Sequence, residues 1–338
     1  MKLYHSFINS FIHKLGSVKI EELQLELYPL DYLKELLKNP AYHLNIYAKI
    51  LELAIKEKNK EELVLIDFGT GNGLLACFAK FCGVKKVIGV DYTKDFITAA
   101  KKLSNALQLD VEFVEANEAN FHELLPNYKP QIIVGNDVIE HIYCLDAFIK
   151  NCKQLNEDVS MVFTTASVNE NYCKAQNLRK LQLQDEFVSS NKKQSNYLYA
   201  GLSFFEIRKR IIEDSFPLLN KSEIDLLATR TRGLQKLDIE IAVSNYINNK
   251  NLPDIIAHPT NTCDPITGSW TERLLTINEY KNLFGKENFT VEIQNGFYNQ
   301  WQSGIKQIFA RAINKCILLL GKKGIYISPF IFLKINDH

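Results

Sequence analysis

The stretch that decides the fold is Asp67-Phe68-Gly69-Thr70-Gly71-Asn72-Gly73. It ends the short apolar run Leu63–Phe68 and precedes the apolar segment Leu74–Phe81. This order is typical of a buried parallel strand that turns directly into a helix. Three glycines in the turn let a ligand approach the backbone, next to the unpaired N–H groups at the start of the helix. The stretch therefore predicts a ligand-binding turn.

Strands and helices alternate beyond this turn, which predicts a doubly wound α/β sheet. The alternation stops near residue 167 and returns near residue 271, so we expect seven strands in all. The predicted strands are 63–68, 86–90, 111–114, 131–134, 159–164, 289–293 and a last one within 325–335, and the predicted helices between them include 94–107, 145–154, 276–284 and 300–320.

The pattern divides the chain into four predicted segments. An N-terminal helical extension covers residues 1–60, and the ligand-binding core covers residues 61–167. A helical insertion with a polar loop follows the fifth strand over residues 168–270, and residues 271–338 return to the core sheet. Because an insertion after that strand lies at the edge where α/β sheets bind ligands, we expect it to act as a lid. Cap patterns beginning at Ser203 and Ser222 predict two of its helices.

Composition limits the possible partners. The 338 residues include 40 Lys and Arg and 39 Asp and Glu, which gives a net charge of +1. The protein therefore has no overall electric field that would attract nucleic acid or anionic lipid, and any basic patch must be local. Seven cysteines without a C-x-x-C pair favour a reducing compartment, and no apolar run approaches the ~20 residues of a membrane span. We expect a cytoplasmic protein without a signal peptide or a membrane span. The sequence does not predict its oligomeric state.

Two common phosphate-binding loops are excluded. A dinucleotide fingerprint needs glycine at the position of Leu74, and a Walker loop needs Gly-Lys followed by Ser or Thr, which is absent. The pattern that remains, acid-x-Gly-x-Gly-x-Gly, resembles motif I of the class I S-adenosylmethionine (SAM) dependent methyltransferases. The resemblance implies that SAM is the cofactor. It covers roughly residues 60–166 and, more weakly, residues 271–335.

The resemblance also assigns residues to the cofactor. Asp91 ends the second strand, where a carboxylate accepts the ribose hydroxyls of a nucleoside. Tyr92 is expected along the adenine ring or as an exposed loop tyrosine, and Asn117 stands where many relatives have an acid facing the adenine amino group. The full predicted cofactor set is Asp67, Gly69, Thr70, Gly71, Gly73, Asp91, Tyr92, Asn117 and Asn136.

The segment Gly135–Ile142 resembles a signature of ubiquinone-type O-methyltransferases and small-RNA terminal methyltransferases. His141 is the candidate base because imidazole titrates near neutral pH, with Asp137 as a second proton acceptor. The alternative is that His141 is a structural residue, which caps the next helix or has its hydrogen bonds satisfied in the core. Asp137, Glu140 and His141 could instead hold a divalent metal ion, which we do not favour.

The acceptor is predicted to be a hydroxyl oxygen of a small molecule or a saccharide. Amino-directed relatives carry Asn/Asp-Pro-Pro-Tyr after strand four, whereas this chain has Asn136-Asp137-Val138-Ile139. The loop 258–273 is rich in polar side chains, which suits a polyhydroxylated ligand, or it is a connector packed by Trp270. The layout resembles methyltransferases of bacterial surface polysaccharides.

Two other functions stay open. An RNA-end or nucleotide O-methyltransferase fits the Asp137–His141 segment, although the net charge disfavours nucleic acid. A catalytically silent SAM-fold binding protein is the third possibility. The arginine runs 208–210 and 230–232 could bind phosphate or carboxylate, or form solvated helix faces.

Overall fold

The computed structural model describes residues 3–55, 59, 61–189, 199 and 201–337, so parts of the predicted N-terminal extension and helical insertion lie outside the described residues. The chain forms two compact units. Unit 1 contains Met1–Ile139, Cys144–Ala166 and Ile277–His338. Unit 2 contains Glu140–Tyr143 and Ser167–Thr276.

Unit 1 is built on a seven-stranded sheet with the order β3-β2-β1-β4-β5-β7-β6. The strands are β1 (Val64–Phe68), β2 (Lys86–Asp91), β3 (Glu112–Glu115), β4 (Ile132–Asn136), β5 (Ser160–Thr165), β6 (Phe289–Asn295) and β7 (Ile331–Asp337). The first five pair in parallel, and β7 runs antiparallel between β5 and β6. The predicted doubly wound α/β class with seven strands is confirmed.

The helices within the described residues are divided between the two units. The first helices of unit 1 are α1 (Ile8–Gly16), α2 (Leu27–Leu37), α3 (Pro40–Ile55), α4 (Leu74–Phe81), α5 (Lys94–Ala106), α6 (Phe121–Leu124) and α7 (Leu145–Leu155). The four helices of unit 2 follow in the sequence and are α8 (Tyr172–Phe187), α9 (Phe204–Ser215), α10 (Lys221–Arg230) and α11 (Lys236–Asn249). The chain then returns to unit 1 with α12 (Ile277–Gly285) and α13 (Ile305–Leu320). No described helix combines the length and the apolar character that crossing a membrane requires.

The strand order places the ligand edge of unit 1. The chain passes from β1 to β2 on one side and later to β4 on the other side of β1. At such a reversal of strand order, the helices that follow the two strands lie on opposite faces and leave a crevice at the carboxyl ends. The glycine turn after β1, Asp91 at the end of β2 and Asn136 at the end of β4 all lie at this edge.

Two predicted boundaries, those of α10 and α13, are wrong for local reasons. The cap of α10 is Asn220, whose side chain and that of Glu223 bond reciprocally to the backbone, rather than Ser222. The helix α13 begins at Ile305 instead of residue 300, after Gly304 at φ +72°. Residues Gly321–Tyr326 form a 3-10 turn, so β7 begins only at Ile331. The four-residue α6 was not predicted because one turn carries no apolar period.

Unit 2 packs α9, α10 and α11 around a small apolar core that contains Ile211, Leu227 and Ile239. Arg208 lies in the same region with no exposed surface, and its Nε donates to the carbonyl of Ala228 at 2.8 Å. Its guanidinium forms a two-pronged ion pair with the buried carboxylate of Glu186. The expectation that this arginine binds an external anion or lies on a solvated face is therefore wrong.

Glu186 is shared by further partners. Arg232 donates from Nε at 3.1 Å, and the Thr262 hydroxyl donates at 2.7 Å. The carboxylate is buried, so each of these donors offsets part of the cost of removing its charge from water.

Replacing Arg208 with leucine should lower the free energy of unfolding by about 3–5 kcal/mol, because Glu186 would stay buried with only part of its compensation. Urea unfolding followed by circular dichroism measures the change. Arg210→Leu is the matched control, since Arg210 is exposed in the same tripeptide. Equal unfolding midpoints for the two variants would show that the pair does not stabilise unit 2.

Candidate functional site

Asp67 fixes the glycine turn through hydrogen bonds of its side chain. Its side chain is 1% exposed, and Oδ2 accepts from the Thr70 hydroxyl at 2.7 Å and from the Ala76 N–H at 3.1 Å. These bonds join the end of β1 to the first turn of α4. Burial raises the pKa of Asp67 to about 7, although both hydrogen bonds favour the charged form. Asp67 thus shapes the turn by contacts within the protein.

The three glycines of the turn all adopt positive φ, at +69°, +51° and +76° for Gly69, Gly71 and Gly73. A Cβ at Gly69 would lie 2.2 Å from Cγ2 of Val138, and one at Gly73 would lie 2.9 Å from the Phe113 ring. These two glycines allow close packing of the protein. At Gly71, the nearest atom is Cε1 of Tyr32 at 3.5 Å, so this glycine is the one that leaves its backbone approachable.

Asp91 connects the end of β2 to the turn. Its Oδ2 accepts from the Gly71 N–H at 2.9 Å, and its Oδ1 accepts from the Thr93 N–H at 2.9 Å. The residue is 8% exposed, and burial raises the pKa of its carboxyl while these bonds lower it. The Thr93 hydroxyl and the Tyr92 N–H also bond to this carboxylate, so a ligand hydroxyl would compete with them for its lone pairs.

The other predicted cofactor residues differ in their surroundings. Tyr92 is 59% exposed. The carbonyl oxygen of Asn117 accepts from the N–H groups of Ala119 and Asn120 at 2.9 and 3.2 Å, so a contact with adenine would compete with this turn. Asn136 accepts from the Thr164 hydroxyl at 3.0 Å.

Helices α2 and α3 supply site residues that sequence reasoning missed. Tyr32 and Leu36 of α2 and Tyr47 of α3 line a cavity of about 20 Å³ together with the turn. The turn and strand residues of the same lining are Asp67, Gly69, Thr70, Asn72, Leu74, Leu75 and Asn136. A cavity of this size holds about one water molecule. The buried Asn72 donates to the carbonyl of Pro29 at 3.0 Å, which ties α2 to the turn, and its Oδ1 has no described partner.

Asp137 follows β4 in a left-handed conformation, at φ +59°. Its N–H donates to the Thr164 hydroxyl at 3.1 Å. Burial lowers the pKa of His43, while the Asp137 carboxylate acts in the opposite direction. The same carboxylate adds to burial in raising the pKa of Tyr42. The Asp137 carboxylate therefore acts electrostatically on Tyr42 and His43 at the start of α3.

His141 lies in unit 2, in a short segment that contacts the polar loop of that unit. Its Nδ1 is 2.7 Å from the carbonyl oxygen of Trp270. Because a carbonyl only accepts, Nδ1 carries the hydrogen in the neutral ring, and Nε2 is left with the lone pair. This tautomer suits a general base. Neighbouring Glu140 is 1% exposed.

The polar loop uses many of its own side chains internally. The ring of Trp270 is 7% exposed and stacks on Tyr143, with centroids 6.5 Å apart. Asn261 donates to the carbonyl of Leu274 at 3.0 Å and accepts from Gln182 at 2.9 Å. The connector packed by Trp270 thus describes this part of the loop better than an open polar surface.

A divalent metal ion held by Asp137, Glu140 and His141 is the alternative that the sequence leaves open. Across residues 3–55, 59, 61–189, 199 and 201–337, no three His, Cys, Asp or Glu side chains are grouped so that they could hold a metal ion.

Comparison with known proteins agrees with the strand order and the glycine turn. Residues 59–225 match the family model described as "Methyltransferase domain". Over these residues, just under half of the chain, the family model and the strand order agree with a class I SAM-dependent methyltransferase domain. A domain of this kind implies SAM as its cofactor.

Similar proteins match only part of the chain. The ribosomal protein L11 methyltransferases of Dictyoglomus turgidum and Dictyoglomus thermophilum are 37% and 34% identical over 93 and 91 residues. Each match covers 27% of this chain and 29% of the relative. A SAM-dependent methyltransferase from Aquifex aeolicus has a TM-score of 0.30 at 23% identity, over 34% of this chain and 65% of that structure. The chain thus spans less than a third of the length of these curated relatives.

The raised pKa of Asp67 makes stability depend on pH. The folded value of about 7 exceeds the usual 3.8, so the protonated carboxyl favours folding below pH 4 and this contribution is lost as the pH rises through 7. In Asp67→Asn that loss should be absent. Urea unfolding from pH 4 to 8 should show wild-type stability falling relative to the variant, by up to about 4 kcal/mol. A constant difference across this range would contradict the burial of a titrating carboxyl.

Proposed function

We propose that the chain transfers a methyl group from SAM to a hydroxyl oxygen of a small-molecule or glycan-like acceptor. The observation that carries the proposal is the edge formed by the glycine turn and Asp91, where an approachable Gly71 backbone lies beside a buried carboxylate. The tautomer of His141 supports the same reaction.

The chain's own residues would hold the nucleoside part of the cofactor at this edge. Asp91 would accept the ribose hydroxyls, and the backbone of Gly71 would lie against the ligand. When bound, SAM supplies an activated methyl group. Because a ligand of its size needs a pocket of roughly 300 Å³ or more, Tyr32 must move away from the turn as the ligand enters.

His141 would act as the general base. Nε2 of His141 would take up the proton of the acceptor hydroxyl as its oxygen is methylated. The bond from Nδ1–H to Trp270 keeps the ring in the tautomer that accepts this proton. Positioned base catalysis of this kind contributes about 10²–10⁴-fold. Asp137 is the competing proton acceptor.

Oxygen is favoured over nitrogen because Asn136-Asp137-Val138-Ile139 replaces the Pro-Pro-Tyr turn of amino-directed relatives. The names of the Dictyoglomus relatives raise ribosomal protein as a second acceptor class. An acceptor screen should therefore include small hydroxyl compounds, saccharides, ribosomal protein and RNA ends. The lid function of the insertion and the cytoplasmic location stay predictions.

Isothermal calorimetry should detect binding of SAM and S-adenosylhomocysteine, but not of NAD. Asp91→Ala should weaken binding by roughly 1.5–3 kcal/mol, because charge-assisted hydrogen bonds are lost. Asp95→Ala, on the exposed first turn of α5, is the control that should bind as the wild type does. Binding of NAD alone, or unchanged affinity in Asp91→Ala, would contradict the proposed cofactor site.

His141→Asn should reduce turnover by about 10²-fold or more and leave SAM affinity and the melting temperature unchanged. The asparagine amide can still donate to Trp270, so the variant removes the base and keeps the structural bond. Transfer of labelled methyl measures turnover, and His13→Asn on the exposed face of α1 is the control.

Other outcomes identify other roles. A lower melting temperature with normal turnover per folded molecule would make His141 a structural residue. Loss of wild-type activity with chelator, restored by magnesium or manganese, would favour the metal alternative. Full turnover by folded His141→Asn without chelator sensitivity would contradict both catalytic roles.

A further inference from the structure

The helix α13 of unit 1 has two different apolar faces. One is turned inward, with Ala310 and Ile317 buried and Ile313 partly buried. The other is exposed to solvent and carries Ile305, Ile308, Phe309 and Leu319, which are 71%, 67%, 65% and 77% exposed. At 3.6 residues per turn, these four side chains project from the side opposite the buried stripe.

The outward face is larger than isolated apolar residues on a surface. Leu320 continues it to the end of the helix, the neighbouring Leu318 is 80% exposed, and Tyr326 in the following 3-10 turn is 60% exposed. Contiguous exposed apolar groups of this kind mark an interaction site in soluble proteins.

The charge around this face is of one sign. From Ile293 to Asn336 the sequence contains no Asp or Glu and six basic residues, although the whole chain carries only +1. The basic residues are Lys306, Arg311, Lys315, Lys322, Lys323 and Lys334. Lys334 pairs with Glu292 at 3.5 Å. The other five form no ion pair with any residue that the structure describes.

Basic side chains border the outward face along one flank and at both ends. On a helical projection, Arg311 and Lys315 lie on one flank, and the exposed Lys306 lies in the first turn of the helix. Lys322 and Lys323 follow at the carboxyl end, where cations are also favoured by the helix dipole. The exposed face of α13 is therefore an apolar strip with a basic border.

A cavity of about 840 Å³ lies beside α13 and continues this character. Ile317 and Leu318 of the helix contribute to its lining, together with Ile325 and Phe332. The basic residues Lys49, Lys281 and Lys322 and one acidic residue, Glu292, also line this cavity. The positive charge thus extends from the border of α13 into a partly apolar recess.

We propose that α13 is an interfacial helix through which this protein binds an anionic membrane surface. The exposed apolar side chains would enter the boundary between headgroups and acyl chains, and the basic border would contact the anionic headgroups. The helix would lie in the plane of the membrane. The proposal is independent of the methyl-transfer reaction, because it rests on α13 and the residues next to it rather than on the ligand edge.

A second copy of this chain fits the same face less well. Packing two α13 helices together would cover the apolar strip, but it would also bring two sets of unpaired basic side chains close to each other. Like charges at short range are unfavourable, whereas an anionic surface compensates them. Charge complementarity therefore favours the membrane.

Vesicle cosedimentation of the full chain tests the proposal. The protein should bind vesicles of phosphatidylcholine mixed with phosphatidylglycerol far more strongly than vesicles of phosphatidylcholine alone, and added salt should weaken the binding. Replacing Lys306, Arg311 and Lys315 with glutamine should lower the partition coefficient about 100-fold. Ile308→Ser with Phe309→Ser should lower it at least tenfold.

Two matched controls separate this face from general effects. Leu237→Ser with Ile241→Ser removes two exposed apolar side chains, 62% and 51% exposed, from α11 of unit 2. Replacing the exposed Lys221, Lys236 and Lys250 with glutamine removes the same charge elsewhere. Both control proteins should bind vesicles like the wild type, and thermal unfolding should show that all variants are folded.

Several outcomes would overturn the proposal. These are absence of binding to the anionic vesicles, equal binding to both vesicle types, or equal losses in the α13 variants and the controls. A concentration-dependent dimer that Ile308→Ser with Phe309→Ser dissociates, without membrane binding by the wild type, would assign the face to a second copy instead.

Discussion

The ligand edge of unit 1 depends on the buried carboxyl of Asp67. Its bonds to Thr70 and Ala76 fix the turn between β1 and α4, and the Thr70 N–H continues the connection to Val90 of β2 at 2.9 Å. Because the turn is fixed in this way, the Gly71 N–H donates a hydrogen bond to the carboxylate of Asp91. The acid that begins the motif therefore acts through the backbone, and it keeps the later groups in place for a ligand.

The sheet could be predicted because its information is local. Parallel strands buried on both faces give continuous apolar runs, and the glycines of the turn have positive φ that other residues rarely adopt. The ends of elements were less predictable. At α10, Asn220 and Ser222 are both good caps, and only the reciprocal bonds with Glu223 decide between them.

The residues on which the Asp137 carboxylate acts electrostatically show what local patterns omit. Tyr32, Tyr42 and His43 belong to helices that precede the sheet, and they reach its carboxyl edge only through long-range packing. No spacing within α2 or α3 distinguishes a tyrosine at this edge from one in a core. For the same reason, Arg208 and Arg210 look equivalent in the sequence, although one is fully buried against Glu186 and the other is exposed.

The polar side chains in the loop of unit 2 fit two roles that composition alone does not distinguish. Its density of hydrogen-bonding side chains fits a sugar ligand, but it also fits a loop that must satisfy its own buried backbone. Asn261 and Gln182 follow the second pattern. Composition alone does not separate the two, since both need the same donors and acceptors.

The position of Tyr32 over Gly71 has a consequence for how affinity is measured. If the conformation with α2 against the turn excludes the ligand, only molecules in which α2 has shifted are able to bind. The observed dissociation constant then equals the intrinsic constant divided by the fraction of open molecules. With roughly one molecule in a hundred open, a site with nanomolar intrinsic affinity would be measured at about a tenth of a micromolar. The contact between one tyrosine ring and one glycine would therefore set the concentration range in which this protein responds to its ligand.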